Sequence, residues 1–97
     1  MTPRFSVRTV SQFDRLLRRH SDRHPELPRL YAQALDILET DPLNLSRQHD
    51  IKKLKGVDPG EGGQYRLALR RFRFRYDIHG REVVLYYCGL RREETCR

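Results

Sequence analysis

The chain has 97 residues, which is the length of one ordinary domain and too short for two. Charged residues make up 34% of the sequence, and 20 basic against 13 acidic residues give a formal net charge of +7. Seventeen of the 20 basic residues are arginine, the side chain that binds phosphate and carboxylate groups in a planar, bidentate geometry. This balance argues against a cation-binding protein and favours a nucleic acid or an acidic protein as the partner.

The sequence also bears on the cellular compartment. It contains no run approaching the roughly 20 apolar residues that span a bilayer, and no apolar signal-peptide core follows the first residues. The two cysteines, Cys88 and Cys96, are too few for a disulfide framework and have no histidine at zinc-ligand spacing. We therefore expect a cytoplasmic protein with reduced thiols, no membrane contact, no metal and no other cofactor.

The first half of the chain predicts a strand followed by two helices. Residues 5–10 alternate apolar and polar side chains, which is typical of a short strand. Ser11 is a suitable N-cap for a first helix, which the polar run of residues 18–24 ends. After Pro25, apolar residues recur with helical spacing. Asp41-Pro42 ends this second helix, because the residue before a proline avoids the helical conformation.

The stretch that follows lacks a clear period. For residues 43–55 we expect a loop with one helical turn around Ile51 and Leu54. Residues 57–63 contain four glycines and prolines, so this segment is predicted to be a loop.

In the last third of the chain the apolar residues fall on every second position, which predicts strands. We expect three of them, over residues 65–69, 72–78 and 83–87, with His79-Gly80 as a two-residue turn. The expected fold class is α+β, with an N-terminal strand and a helical hairpin packed on a three- to four-stranded antiparallel sheet. Residues 1–97 are expected to form this single domain.

Strand alternation turns the arginine content into a surface. If Leu67 and Leu69 on one strand and Phe72 and Phe74 on the next face the helices, the residues between them project to the other side of the sheet. Those residues are Arg66, Arg70, Arg71, Arg73, Arg75 and Asp77. Residues 64–97 hold nine arginines and four acids, whereas a solubilising surface normally mixes the two signs. We therefore interpret this face as a phosphate-binding surface rather than an ordinary solvated one.

Other groups of chemical interest add little. Lys52, Lys53 and Lys55 stand before the glycine-containing loop and extend the basic surface. The four histidines are scattered, without Asp or Cys partners at the spacing of a metal site or a catalytic triad. The glycines of the loop precede a predicted strand rather than a helix, so nucleoside triphosphate binding has no support.

Several segments of the second half form a recognisable set. They read I-K-K-L-K-G (51–56), Y-R-L-A-L-R (65–70), F-R-F-R-Y (72–76), then a His-Gly hairpin, then V-V-L-Y-Y-C-G-L-R-R-E (83–93). Together they resemble the RelE/ParE superfamily, which comprises small bacterial and archaeal toxins of type II toxin–antitoxin modules. The resemblance covers residues 51–97, nearly half the chain.

The resemblance implies a toxin that an acidic antitoxin, encoded by a neighbouring gene, holds inactive in a hetero-oligomer. The RelE-like branch cleaves messenger RNA on the ribosome without a metal, whereas the ParE-like branch inhibits DNA gyrase by binding alone. We expect the RelE-like endoribonuclease activity. Gyrase inhibition is the alternative, and a non-toxic basic interaction domain is a third interpretation.

By position, the resemblance assigns catalytic roles to Arg66, Arg73 and Arg91. Arg73 matches the family's phosphate-binding arginine, and Arg91 matches the arginine that acts near the leaving group. The residues expected to bind substrate are Lys52, Lys53, Lys55, Arg70, Arg75 and Arg92.

The sequence does not identify the general base or the residue that stacks on the substrate base. Arginine remains protonated in proteins and is a poor base. The candidates for the base are Glu93, Glu94 and the lysines of residues 52–55. Many RelE-like toxins carry near the C-terminus a tyrosine that stacks on the substrate base, whereas this chain has Cys96 near that position. We expect either an attenuated enzyme or one that stacks the base on Tyr86 or Tyr87.

Overall fold

The computed structural model of the chain describes residues 4–57 and 62–91. Two helices lie against a five-stranded sheet whose spatial order is β1-β5-β4-β3-β2. The elements are β1 (Ser6–Thr9), α1 (Ser11–Arg23), α2 (Leu27–Thr40), β2 (Ile51–Lys53), β3 (Tyr65–Leu69), β4 (Phe72–His79) and β5 (Glu82–Leu90). The α+β fold class predicted from the sequence is confirmed.

The sheet differs from the prediction in strand number and direction. It has five strands rather than three or four, and it is mixed, because β1 pairs in parallel with β5. The helical turn expected around Ile51 is wrong, since residues 51–53 form β2 and pair antiparallel with β3. A strand of three residues, two of them lysines, is too short to show a period. Charged side chains of this kind are typical of an edge strand, where they discourage pairing with another chain.

The helices follow their apolar spacing. In α2 the buried residues Leu27, Leu30, Ala34 and Leu38 form one stripe. The prediction of Ser11 as N-cap is off by one residue, because α1 begins at Ser11 and the cap position carries no side-chain hydrogen bond. Neither helix of the described ranges is long and apolar enough to cross a membrane.

The core lies between the helices and one face of the sheet. Leu67, Phe74 and Cys88 stand opposite one another on β3, β4 and β5, and all three are fully buried in the same apolar cluster. Tyr65 and Tyr76 stack in the next row with ring centroids 5.4 Å apart. These residues define the inner face of the sheet, and the residues that alternate with them define its outer face.

The connection between α2 and β2 is fixed to this core. The Tyr76 hydroxyl, on a fully buried side chain, donates a hydrogen bond of 2.7 Å to the carbonyl oxygen of Pro42. Asp41 organises the loop itself, because its carboxylate accepts hydrogen bonds from the Leu45 N–H (2.8 Å) and the Ser46 hydroxyl (2.6 Å). Burial pushes the pKa of Asp41 upward, but the hydrogen bonds from Ser46 and Leu45 outweigh it and leave that pKa lowered. The loop therefore holds β2 in a fixed position at the edge of the sheet.

We predict that Tyr76→Phe lowers the free energy of unfolding by about 1–2 kcal/mol, because the Pro42 carbonyl loses its buried donor. Tyr31→Phe is the matched control, since Tyr31 is a half-buried residue whose hydroxyl has no hydrogen-bond partner in the described residues. That control should change stability by less than about 0.5 kcal/mol. Urea denaturation of both variants measures the difference, and equal effects would contradict the assigned role of the Tyr76–Pro42 hydrogen bond.

The Tyr76→Phe substitution should also change how the stability of the fold depends on pH in the alkaline range. Burial raises the pKa of Tyr76 above its ordinary value of 10.0, so the folded chain keeps a proton that the unfolded chain releases. Stability from this group is therefore complete below pH 10 or so and declines as the pH rises further. Tyr76→Phe should flatten that decline in denaturation curves measured above pH 10.

Candidate nucleic-acid interface

Strand register brings three cations into one line across the outer face. Lys52 on β2 stands opposite Arg66 on β3, and Arg66 stands opposite Arg75 on β4. Arg75 in turn stands opposite Tyr87 on β5. Directly opposed residues in antiparallel strands have Cβ atoms roughly 4.5–5.5 Å apart. We call Lys52, Arg66 and Arg75, with Tyr87 at its end, the basic row.

Arg73 occupies the next row of the same face. Its neighbours in register on β3 and β5 are Ala68 and Gly89, which are both buried and have short side chains or none. Arg73 is diagonal to Arg66, and the Cβ atoms of two residues in this relation are at most about 7–8 Å apart. Arg73 Nη1 donates hydrogen bonds of 2.9 Å to the carbonyl oxygens of Arg70 and Phe72. Its guanidinium is therefore held at the end of the sheet formed by the turn between β3 and β4.

Arg91 lies at this same end. It follows β5 directly, is exposed, and its backbone N–H donates a 2.7 Å hydrogen bond to the carbonyl oxygen of Arg71 in the turn. Of the three arginines predicted to be catalytic, Arg73 and Arg91 are thus brought to one end of the sheet. Arg66 lies one row away from Arg73, within the basic row.

Arg75 is held by the loop before β3. Its Nη2 donates a 2.8 Å hydrogen bond to the Gly63 carbonyl oxygen, while its buried Nε has no hydrogen-bond partner in the part of the chain that the structure describes. A Cβ atom on Gly63 would lie 2.6 Å from the Tyr76 backbone nitrogen and 3.1 Å from the Arg75 Cβ. Gly63 also has a φ of +100°, which side chains rarely adopt. Sequence reasoning missed this role of Gly63, although the paired glycines at 62–63 marked the segment as a loop.

A β-bulge sits beside the basic row. The register between β4 and β5 shifts between Arg75 and Tyr76, so that Tyr76 stands opposite Leu85 and Arg75 opposite Tyr87. Tyr86 is the extra residue, and both tyrosines are half-buried. Bulges are frequent next to active sites, where they redirect side chains. Of the two tyrosines predicted as stacking residues, Tyr87 is the one in register with an arginine.

The lysine cluster is divided by the sheet. Only Lys52 lies on the outer face. Lys53 alternates with it and stands opposite Tyr65, with its Nζ 5.8 Å from the centroid of that ring, on the inner face. Lys53 therefore does not share a face with Lys52, and its assignment as a substrate-binding residue stays a prediction. Lys55 is exposed and lies beyond the end of β2, where strand alternation no longer places it on either face.

Arg70 and Arg71 are also misplaced by the sequence pattern. β3 ends at Leu69 and β4 begins at Phe72, so these two arginines form the turn rather than part of the outer face. Arg71 turns toward the helices, where its Nη2 lies 2.8 Å from a Glu26 carboxylate oxygen. That hydrogen bond is the main reason why the pKa of Glu26 is lowered. Alternation fails here because a two-residue turn interrupts the pleat.

Asp77 is not an open acid on the basic surface. It is 2% exposed and stands opposite Val84. Its carboxylate accepts a 2.6 Å hydrogen bond from the Gln64 N–H. The side chain therefore fixes the start of β3, a structural role that the sequence pattern did not reveal.

Several expected site residues lie outside the described residues. These are Arg92, Glu93, Glu94 and Cys96. Within residues 4–57 and 62–91 no group of three or more His, Cys, Asp and Glu side chains is arranged to hold a metal ion. The described site is thus a set of fixed guanidinium groups with one lysine and one tyrosine in register, an arrangement suited to binding phosphodiester anions.

Comparison of the chain with family models, with curated proteins and with solved structures finds no match.

We predict that Gly63→Ala lowers the free energy of unfolding by about 1–3 kcal/mol more than Gly62→Ala does, because only at residue 63 does the new Cβ overpack its surroundings. Gly62 is the matched control, since its φ of +88° imposes a similar backbone strain with no atom within 4 Å of the added Cβ. Thermal or urea denaturation measures both. Equal losses would show that the loop does not press against β4.

Proposed function

We propose that the chain is the toxin of a type II toxin–antitoxin module and cleaves messenger RNA on the ribosome without a metal. The observation that carries this proposal is the basic row on the outer face, with Arg73 and Arg91 at the adjoining end of the sheet. The motifs of residues 51–93 that resemble the RelE/ParE superfamily support the same function.

The arrangement of the cations favours a polyanionic ligand. Like charges placed directly opposite each other on neighbouring strands destabilise a sheet. Lys52, Arg66 and Arg75 are such neighbours, and no carboxylate stands among them in register. The phosphates of an RNA backbone laid across the row would be attracted to these cations and would release their own counterions.

The reaction needs three things from the protein. The ribose 2′-oxygen attacks the adjacent phosphorus and loses its proton, a pentacoordinate phosphorane carries the developing negative charge, and the 5′-oxygen leaves with a proton. The products are a 2′,3′-cyclic phosphate and a free 5′-hydroxyl. Fixed guanidinium groups suit the second requirement, because charge-assisted hydrogen bonds aimed at developing charge are usually the largest catalytic contribution.

Arg73 is the best-placed residue for binding the phosphorane. Its hydrogen bonds to the Arg70 and Phe72 carbonyls restrain the guanidinium before substrate arrives. A restrained group loses little entropy on binding, which is the advantage of a preorganised site. Arg91, at the same end, is assigned to the leaving 5′-oxygen.

Proton transfer requires a different type of residue, because arginine does not lose its proton in proteins. Lys52 is the only member of the basic row with an amine that can exchange one. The fold therefore favours Lys52 among the lysine candidates for the base, since Lys53 lies on the inner face and Lys55 lies beyond the end of β2. Glu93 and Glu94 remain candidates beyond the described residues.

We predict that the double variant Arg73→Ala/Arg91→Ala no longer arrests growth and cleaves ribosome-bound mRNA at least about 100-fold more slowly, as loss of an oxyanion donor implies. Arg15→Ala/Arg19→Ala is the matched control: it removes two exposed arginines of α1 and should retain activity. Expression of the unaltered chain followed by mapping of transcript ends provides the assay.

Two results would contradict this assignment. The first is a folded double variant that still cleaves mRNA at the original rate. The second is an unaltered chain that causes gyrase-dependent DNA breaks with intact transcripts, which would identify it as a gyrase inhibitor.

We further predict that Tyr87→Ala weakens binding of a short single-stranded RNA by about 1–3 kcal/mol, whereas Tyr87→Phe retains it, because stacking of a base needs the ring and not the hydroxyl. Fluorescence anisotropy with a labelled oligonucleotide measures both affinities. If the phenylalanine variant binds as weakly as the alanine variant, Tyr87 acts through its hydroxyl and the stacking role is wrong.

A further inference from the structure

A groove of about 970 Å³ lies between the N-terminal half of α2 and the turn that joins β3 to β4. We call it the α2 groove. It is lined by Glu26, Arg29, Leu30, Gln33, Arg70 and Arg71. Leu30 is 5% exposed and adds little surface. The accessible side chains of the groove are therefore three arginines, one glutamine and one glutamate.

The glutamate of the groove is already paired with one of the arginines. Glu26 Oε2 accepts a 2.8 Å hydrogen bond from Nη2 of Arg71, which also lies 3.1 Å from Nδ1 of His24. The hydrogen bond from Arg71 is the main cause of the lowered pKa of Glu26, so this carboxylate stays charged. Counted against the three arginines, Glu26 leaves the groove with a formal charge of +2. The surplus belongs to Arg29 and Arg70.

The guanidinium groups of Arg29 and Arg70 are available for a ligand. Both residues are exposed, and neither makes an ion pair or a side-chain hydrogen bond within residues 4–57 and 62–91. Residues 27–35 of α2 contain no acid that could compete for Arg29. Gln33 lies one turn beyond Arg29 and is exposed, and its amide can both donate and accept hydrogen bonds.

The backbone conformation of Arg70 indicates that its side chain has a role. Its φ is +54°, in the left-handed region where a side chain is strained and glycine is preferred. Glycine is also frequent in two-residue turns between strands. Strained residues of this kind cluster at binding and active sites. The turn therefore carries an arginine at a conformational cost that a glycine would remove.

The α2 groove adjoins the end of the sheet at which Arg73 and Arg91 lie. The Arg70 carbonyl oxygen accepts a 2.9 Å hydrogen bond from Nη1 of Arg73. The Arg71 carbonyl oxygen accepts a 2.7 Å hydrogen bond from the backbone N–H of Arg91. The same two residues thus hold Arg73 and Arg91 through their backbone and line the groove with their side chains. A basic groove that continues in this way is the kind of path that a single-stranded nucleic-acid backbone follows.

We propose that the α2 groove is a second RNA subsite, which binds backbone phosphates of the nucleotides on one side of the cleaved bond. Arg70 binds the phosphate next to the one at Arg73, Arg29 binds the following phosphate, and Gln33 bonds an adjoining ribose hydroxyl. The inference rests on the proposed function, because the strand reaches the groove from the end of the sheet. It requires the strand to bend around the turn between β3 and β4. Sequence patterns did not associate Arg29 or Gln33 with the site.

The test measures, by fluorescence anisotropy with the full chain, the binding of a fluorescein-labelled oligouridylate of about ten nucleotides, which suits the size of single-strand binding sites. Arg29→Gln/Arg70→Gly removes both open guanidiniums and should weaken binding about ten-fold or more at low salt, because two charge-assisted hydrogen bonds are lost. The slope of the logarithm of the association constant against that of the salt concentration should shrink by about 0.7 for each phosphate contact removed. Glycine at residue 70 suits the positive φ and keeps the carbonyl that bonds Arg73.

Arg15→Gln/Arg19→Gln on α1 is the matched control. Both pairs lower the formal net charge from +7 to +5, so a nonspecific electrostatic effect would be equal in the two. Arg29→Gln alone, at an exposed helical position, is the second variant in case the change at the turn prevents folding, and it should weaken binding several-fold with unchanged circular dichroism. Equal weakening by the groove and α1 pairs would overturn the proposal, as would a folded Arg29→Gln protein with unchanged affinity and salt slope.

The Arg73→Ala/Arg91→Ala variant in the same assay separates a failure of this proposal from a failure of the proposed function. We expect both this variant and the groove pair to weaken binding. If only Arg73→Ala/Arg91→Ala does so, RNA binds at the end of the sheet and the α2 groove is not a subsite. If only the groove pair does so, the groove does not extend the Arg73 site and the proposal is wrong. If neither does so, the proposed RNA cleavage is wrong as well.

Discussion

Burial of one side of β4 is the constraint on which the rest of the molecule depends. Phe72, Phe74 and Tyr76 are fully buried against the helices. Because side chains alternate along a strand, Arg73 and Arg75 must lie on the opposite face. The same burial fixes the register of β4 with β3 and β5, since a slip of one residue would bury guanidinium groups in the core. The hydrophobic core therefore determines which arginines share the outer face.

The sequence predicts best those elements in which such a burial pattern is long enough to read. α2 and β4 each have several buried positions at regular spacing, and both were placed within a residue or two. β2 has three residues and gains its strand conformation from pairing with β3, so its own pattern carries no signal. The parallel pairing of β1 with β5 joins residues more than 70 positions apart, and local periodicity cannot report it. Tertiary pairing, rather than local conformational preference, determines both the strand conformation of β2 and the position of β1 in the sheet.

The residues of the candidate site also fall into two groups, those whose position the sequence pattern predicts and those whose position it does not. Alternation correctly placed Arg66, Arg73 and Arg75 on one face, because each lies within a strand whose neighbours are buried. It failed for Arg70 and Arg71 because β3 ends at Leu69 and β4 begins at Phe72, so both arginines lie in the turn between them. The contact of Gly63 with β4 depends on a close approach between segments that pair only in the folded chain. No composition or spacing rule contains that information.

The two-residue turn between β3 and β4 links the outer face of the sheet to the helical layer. Its carbonyl oxygens accept hydrogen bonds from the Arg73 guanidinium and from the Arg91 backbone, while the Arg71 side chain is tied to Glu26 beside α2. The strained φ of Arg70 persists because these contacts hold the turn from both sides. The position of the Arg73 guanidinium therefore depends on a contact with the helical layer that lies away from the outer face.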